Sequence, residues 1–323
     1  RTWGSVSALN VDIDGVHIWV ADRCGSNSCA ESNVDPIVKM DPEGNVVQSF
    51  GAGMITWPHG MDVDSDGNVW VVDARSPNQR ELDRTPNAPM KGHQVVKFSP
   101  DGDVLLVLGT PGERGDPPTH FSEPNDVVIG PDGSIYVGDG HNGQGMTTGQ
   151  AIAAGIEAGS TGRIMKFSAD GTFIKEWGQI GTLHGEFRTP HALAFDSEGR
   201  LFVADRGNHR IEIFDQDGNY LDSRYSYGRI SGIFITGDNM LYAIDSESSG
   251  TSHPAWSNGV RIGPLNEDRI TGFIPPFDSD SRPYQGAAGE GIAVDADGNV
   301  YAAEGPNSLS WAGGAFTKYA VGQ

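Results

Sequence analysis

The chain has 323 residues, 37% of them hydrophobic, and a formal net charge of −21. That length can bury a sizeable core, while the acidity repels phosphate backbones and argues against a nucleic-acid partner. No stretch approaches the roughly 20 consecutive apolar residues that cross a bilayer as a helix, and with 45 glycines and 19 prolines the chain must turn often.

In chain order, the sequence is a series of variations on one unit. An alternating apolar strand leads into an Asp-Gly turn and a second apolar strand ending in an acid. A loop, a third strand, another Asp-Gly turn and a fourth strand follow. Six copies begin near Ser7, His59, Asn125, His191, Ser231 and Glu290, about 40 to 65 residues apart. The clearest runs from His191 through Asp196, Gly199, Asp205, His209 and Phe214 to Asp222. Four short strands per unit, repeated without a linker, predict an all-β chain: one six-bladed β-propeller domain over 1–323. The sixth copy ends after its third strand. Arg1-Thr2-Trp3-Gly4 resembles the fourth-strand ending Lys175-Glu176-Trp177-Gly178, so the N-terminal residues are expected to supply the missing strand and close the ring.

Three segments interrupt the pattern. Residues 76–92 are polar and Pro-rich, 143–162 contain a short helical stretch from Gln150 to Glu157, and 246–258 include His253-Pro254-Ala255-Trp256. Loops of this kind commonly shape a binding site. Cys24 and Cys29 lie in a polar loop. Their spacing suits a small-loop disulfide, which would fit an extracellular or periplasmic location, with two free thiols as the alternative.

Three of the six opening phrases carry chemistry: Trp57-Pro58-His59-Gly60, Thr189-Pro190-His191-Ala192 and Gly289-Glu290-Gly291. In a ring, His59, His191 and Glu290 fall on alternate blades and converge on one axis, a donor set for a divalent metal with an open position. Asn125 faces the same channel. The second strands end at Asp22-Arg23, Asp73-Ala74-Arg75, Asp139-Gly140-His141, Asp205-Arg206, Asp245-Ser246 and Glu304-Gly305. The recurring aspartates read as structural acceptors of loop N–H groups. Arg23 and Arg206 are candidates to clamp an anion, His141 to move a proton, and Arg75, Asn125 and His253 to touch substrate. The Asp64-Ser65-Asp66-Gly67 and Asp295-Ala296-Asp297-Gly298 stretches lack the downstream glutamate of a calcium loop and read as hairpin turns.

The units resemble NHL repeats, and nearly the whole chain resembles the catalytic domain of the peptidyl-α-hydroxyglycine α-amidating lyases. Trp57-Pro58-His59-Gly60, Thr189-Pro190-His191-Ala192, Val203-Ala204-Asp205-Arg206, Phe121 to Asp126 and Val137 to Gly140 carry the likeness. The resemblance implies a zinc held by three histidines on alternate blades, a tyrosine base, two arginines on the substrate, and cleavage of a peptidyl hydroxyglycine to a peptide amide and glyoxylate. His59 and His191 match two of those zinc ligands, and Arg23 and Arg206 match the arginines. The third histidine and the aspartate after it are replaced by Glu290-Gly291, and the tyrosine by His141.

These readings lead to a monomeric, metal-dependent enzyme acting on a small anionic or peptidyl substrate. Zn²⁺ is the expected ion. A carboxylate ligand moves preference toward Mn²⁺, Fe²⁺ or Ca²⁺. Lyase-like C–N cleavage leads, with metal-dependent hydrolysis of an ester, lactone or amide on the same site as one alternative. A non-enzymatic protein-binding platform is another, and a calcium-dependent lactonase a third.

Overall fold

The computed structural model describes residues 1–146, 148–276, 289–303 and 316–322. They form six antiparallel sheets, five with four strands and the sixth with three, each ordered along its sheet as along the chain. The innermost strands are Val6–Val11, Pro58–Val63, Pro124–Ile129, Pro190–Phe195, Ile230–Ile235 and Ile292–Val294. Glu304, expected to end the last second strand, lies outside the described residues.

Hairpins form where an aspartate can bond its own backbone two and four residues on. Asp196 Oδ1 accepts from the N–H groups of Glu198 (3.0 Å) and Arg200 (2.8 Å), and Asp64 and Asp295 repeat the arrangement. The Asp-x-Asp-Gly stretches are therefore turns, each carrying its glycine at positive φ.

Between blades the sheets meet face to face through apolar side chains. Six buried clusters occupy the six interfaces of the ring. Trp19, Phe50 and Phe98 join blades one and two, and Val6, Ile18, Ala293 and Tyr301 join blade six back to blade one. Trp3 sits edge-on to Phe316 of blade six with ring centroids 6.4 Å apart. The N-terminal residues thus pack against the last blade, but residues 1–5 carry no strand assignment. Their backbone donors are used elsewhere: Gly4 N–H donates to Asp22 Oδ1 and Ser5 N–H to the Ser26 carbonyl.

The aspartates that end the second strands are staples. Each is fully buried. Asp73 accepts from Thr56 and Trp57 N–H, Asp139 from Ser122 and Glu123 N–H, and Asp205 from Arg188 N–H. A third-strand partner closes four of the five staples: Gln94 on Asp73, Arg163 on Asp139, Arg210 on Asp205 and Arg261 on Asp245, while Arg1 pairs with Asp22. The structural reading of these acids agrees with their contacts.

The insertions stand at the same ends of the strands. Residues 76–92 contain helix α1 (Gln79–Arg84), opened by a capping box between Asn78 and Glu81. Helix α2 (Gly149–Glu157) covers the helical stretch expected from Gln150 to Glu157 and is capped by Thr148. Cys24 and Cys29 are joined in a disulfide.

Candidate metal centre

Five of the six innermost strands begin with an irregularity. In blade four the register passes from Pro190↔Asp205 directly to Ala192↔Ala204, leaving His191 as the extra residue, and in blade two His59 sits in the same kind of shift between Pro58 and Met61. A bulge re-aims the side chain it carries, so both imidazoles leave the plane of the sheet and line a channel cavity of about 170 Å³ with Ser231 and Glu290. Gly60, which follows His59, is a close approach: a Cβ there would lie 2.2 Å from Asp126 Oδ1.

The two histidines are held alike. His59 Nδ1 bonds the Asn125 carbonyl at 2.8 Å and His191 Nδ1 the Ser231 carbonyl at 2.7 Å. A carbonyl only accepts, so each Nδ1 carries the proton and each Nε2 presents a lone pair. Both Nε2 atoms are buried and without a partner. The second hydrogen bond fixes the tautomer, as around histidines that ligate metals.

The third member is His141. It follows Gly140, whose φ of 147° and 2.3 Å approach of a would-be Cβ to the Thr161 carbonyl admit only glycine. This turn swings His141 over the channel, with ring centroids 5.0 Å from His59 and 5.6 Å from His191. One ligand atom from each of the three lies within 4.8 Å of the others. These three histidines can hold a metal. Glu290, expected in that set from the blade alternation, lines the cavity but pairs with Arg23, Oε2 to Nη2 at 3.1 Å. His141, expected to move a proton, occupies the third corner.

Around this centre, Arg23 is fully buried. It donates from Nε to the Pro58 carbonyl and from Nη1 to Asn27 Oδ1, and its guanidinium lies 3.8 Å from the centre of the Trp57 ring. Trp57 also touches His59 and His141 and was not expected as a site residue, although it opens the same phrase as His59. Arg206 donates to Ser231 Oγ at 3.1 Å and to Gln144 Oε1, and its Nη2 lies 3.4 Å from His141 Nε2. Arg75 is held bidentate by Glu81 of α1, behind Trp57. Asn125 is buried in the wall, with Nδ2 on the Pro190 carbonyl and Oδ1 unpartnered. His253 does not join the cluster. It stacks on Trp256 and bonds Ser248 beside blade five.

Burial pushes all three histidines well below the usual imidazole range, the charge of Arg206 adds to it at each, and that of Arg23 at His59 and His141. Below about pH 6.5 the unfolded chain takes up protons there that the folded chain refuses, so this contribution destabilises the protein as pH falls. Buried acids act oppositely. Burial raises Asp62 to about 7 and Asp73 and Asp205 to about 6, so their contribution weakens as pH rises through those values. A His141→Gln variant isolates the histidine part. In chelator-treated protein, urea midpoints at pH 6.5 and 5.0 should show wild type losing about 1–2 kcal/mol more than the variant. Parallel losses would contradict the assignment.

Residues 187–214, the core of blade four, match the NHL repeat family model. The chain is 29% identical over 335 residues to peptidyl-glycine alpha-amidating monooxygenase B of Xenopus laevis, covering 95% of this chain and 34% of that protein. It is 27% identical over 290 residues to peptidyl-alpha-hydroxyglycine alpha-amidating lyase 1 of Drosophila melanogaster, covering 83% of this chain and 46% of that protein. The chain thus spans about a third to a half of these curated relatives. Among solved structures, a gluconolactonase from Xanthomonas campestris superposes with a TM-score of 0.59 at 15% identity, over 95% of this chain and 84% of the other, a likeness of fold. The chain is a six-bladed β-propeller whose fourth blade matches the NHL repeat. Within that class it resembles the amidating-lyase domains, across nearly its whole length.

Proposed function

We propose that the protein is a metal-dependent lyase that cleaves the C–N bond of an N-acyl-α-hydroxyglycine or a closely similar anionic substrate. The observation that carries this reading is the pair of buried, tautomer-fixed, partnerless Nε2 atoms of His59 and His191 facing His141. A protein-binding platform has no use for them. His59, His191 and His141 would hold the ion, of which zinc suits three neutral imidazoles best. A bound divalent ion supplies a Lewis acid at a substrate oxygen.

The chain's own groups do the rest. Arg206, buried with an unpartnered Nε, binds the substrate carboxylate. Glu290 takes the hydroxyl proton as the carbon–oxygen bond becomes a carbonyl, and returns it to the departing amide nitrogen. Glyoxylate and a primary amide leave, with no net proton gained. While protonated, Glu290 releases Arg23 from its ion pair to face the anionic product. A base at this carboxylate differs from the sequence expectation, which gave proton transfer to His141, and the choice rests on His141 completing the histidine cluster.

The same centre suits hydrolysis of a lactone or ester if Glu290 instead activates water, and its carboxylate on the cavity wall favours keeping that reading. Glyoxylate release from N-benzoyl-α-hydroxyglycine, compared with hydrolysis of gluconolactone, separates the two. Lyase activity without lactone hydrolysis is the expected result. Glu290→Gln should lower the lyase rate by roughly 10²–10⁴-fold with metal content unchanged. An active Glu290→Gln enzyme would remove the glutamate from the mechanism. The Cys24–Cys29 disulfide supports function outside the reducing cytosol.

A further inference from the structure

A second group of arginines lies on the blade-four and blade-five side of the mouth, away from Arg23. Arg229 stands two residues before Ser231, the repeat position that Trp57 holds before His59. Arg188 precedes the blade-four phrase. Arg188 and Arg206 meet at Gln144, Arg188 through its backbone carbonyl at 3.4 Å and Arg206 through its side-chain oxygen. Arg229 bonds His209 Nε2 at 3.3 Å. Each of the three guanidiniums has a buried Nε without a partner, and Arg206 and Arg229 are only 1% and 6% exposed.

Anionic compensation here is thin. Glu247 lies 3.7 Å from Arg229 Nη2 and is more than a third exposed. Asp205 is committed to Arg210, and Asp245 to Arg261 and Ser248. By contrast Arg23, across the mouth, is neutralised by Glu290. In a chain of net charge −21, three neighbouring, under-bonded guanidiniums, those of Arg206 and Arg229 buried and that of Arg188 half-buried, are costly unless something negative completes them. The wall behind them is a row of packed rings. Arg261, Trp256, His253 and His209 stack in succession, with Trp256 to His253 at 4.5 Å and His253 to His209 at 4.3 Å. This stack backs the ring nitrogen that holds Arg229. The burial of His209 and the charges of His253, Arg229 and Arg188 hold its pKa down to about 4, so it adds no positive charge of its own.

We propose that Arg188 and Arg229, beside Arg206, form a second anion subsite that selects N-acyl-α-hydroxyglycine substrates whose acyl or peptidyl part carries an additional carboxylate. The proposal rests on the reading of the channel mouth as the reacting site. It gives the substrate a class: a dianion with one carboxylate at Arg206 and another at Arg229 and Arg188. Neither Arg188 nor Arg229 touches the reacting atoms, so their effect should fall on affinity.

Calorimetric titration of the metal-loaded protein with two probes tests it: N-acetylglycine, and N-succinylglycine, which adds one carboxylate to the same skeleton. Wild type should bind N-succinylglycine at least about tenfold tighter. Arg229→Gln and, separately, Arg188→Gln should remove most of that preference while leaving N-acetylglycine affinity and thermal unfolding unchanged. Equal affinities in wild type, no measurable binding of the dianion, or a preference that survives both substitutions would overturn the proposal. Turnover of N-benzoyl-α-hydroxyglycine keeps the two readings apart. Turnover without dianion preference removes the subsite and keeps the lyase, whereas preference without turnover keeps the subsite and removes the lyase.

Discussion

Replacing His59 by alanine is expected to abolish metal binding and to lower turnover by at least about a thousandfold, the several kcal/mol that a Lewis acid contributes to a developing oxyanion. The fold should survive. His59 holds no strand in place beyond its bond to the Asn125 carbonyl, and its Nε2 has no partner to lose. Truncation leaves one backbone carbonyl beside a cavity large enough to admit water. His191→Ala should behave the same way, since Ser231 plays for it the part that Asn125 plays for His59. Elemental analysis, glyoxylate release and thermal unfolding on both variants check the expectation. Turnover within tenfold of wild type in either would end the metal-centred account.

Asp205→Ala should have the opposite profile, a loss of fold before any question of function. Asp205 is fully buried and accepts from Arg188 N–H, Asn208 Nδ2 and Arg210 Nε. Removing it strands Arg210, itself only 4% exposed, with its remaining bonds to loop carbonyls and to Glu212. Breaking one partner of a buried pair costs about 3–5 kcal/mol, more than most surface changes. Urea unfolding should show that loss, and the carbonyl–histidine bond at His191 should loosen with it because Arg188 and Arg206 flank the same strand. A loss below about 1 kcal/mol would mean that the staple is redundant.

The repeat was legible because most blades solve the same problem with the same residue types. An aspartate caps its own hairpin, a second aspartate staples the mouth loop, and a bulge follows, so one phrase predicted six strand starts. His59 and His191 were legible for that reason: they occupy one register position in two copies. The pairing of Arg23 with Glu290 was not legible, because 267 residues separate them and only closure of the ring brings them together. His141 was visible as a mouth residue, yet its entry into the histidine cluster depends on the Gly140 turn, whose direction no spacing announces. Trp57 and Arg229 share a repeat position two residues before the channel residue, a signal present in the sequence that becomes informative only once the bulge shows which layer it forms. The N-terminal segment matched a fourth strand in pattern, but blade one's Asp22 and Ser26 engage its backbone N–H groups.

The most direct test is the metal content of protein purified without added metal or chelator, measured for wild type, His141→Ala and Glu290→Gln. The three-histidine centre predicts about one equivalent of a transition metal in wild type and Glu290→Gln, and little in His141→Ala. Metal retained without His141 and lost without Glu290, or no metal in wild type, would contradict it.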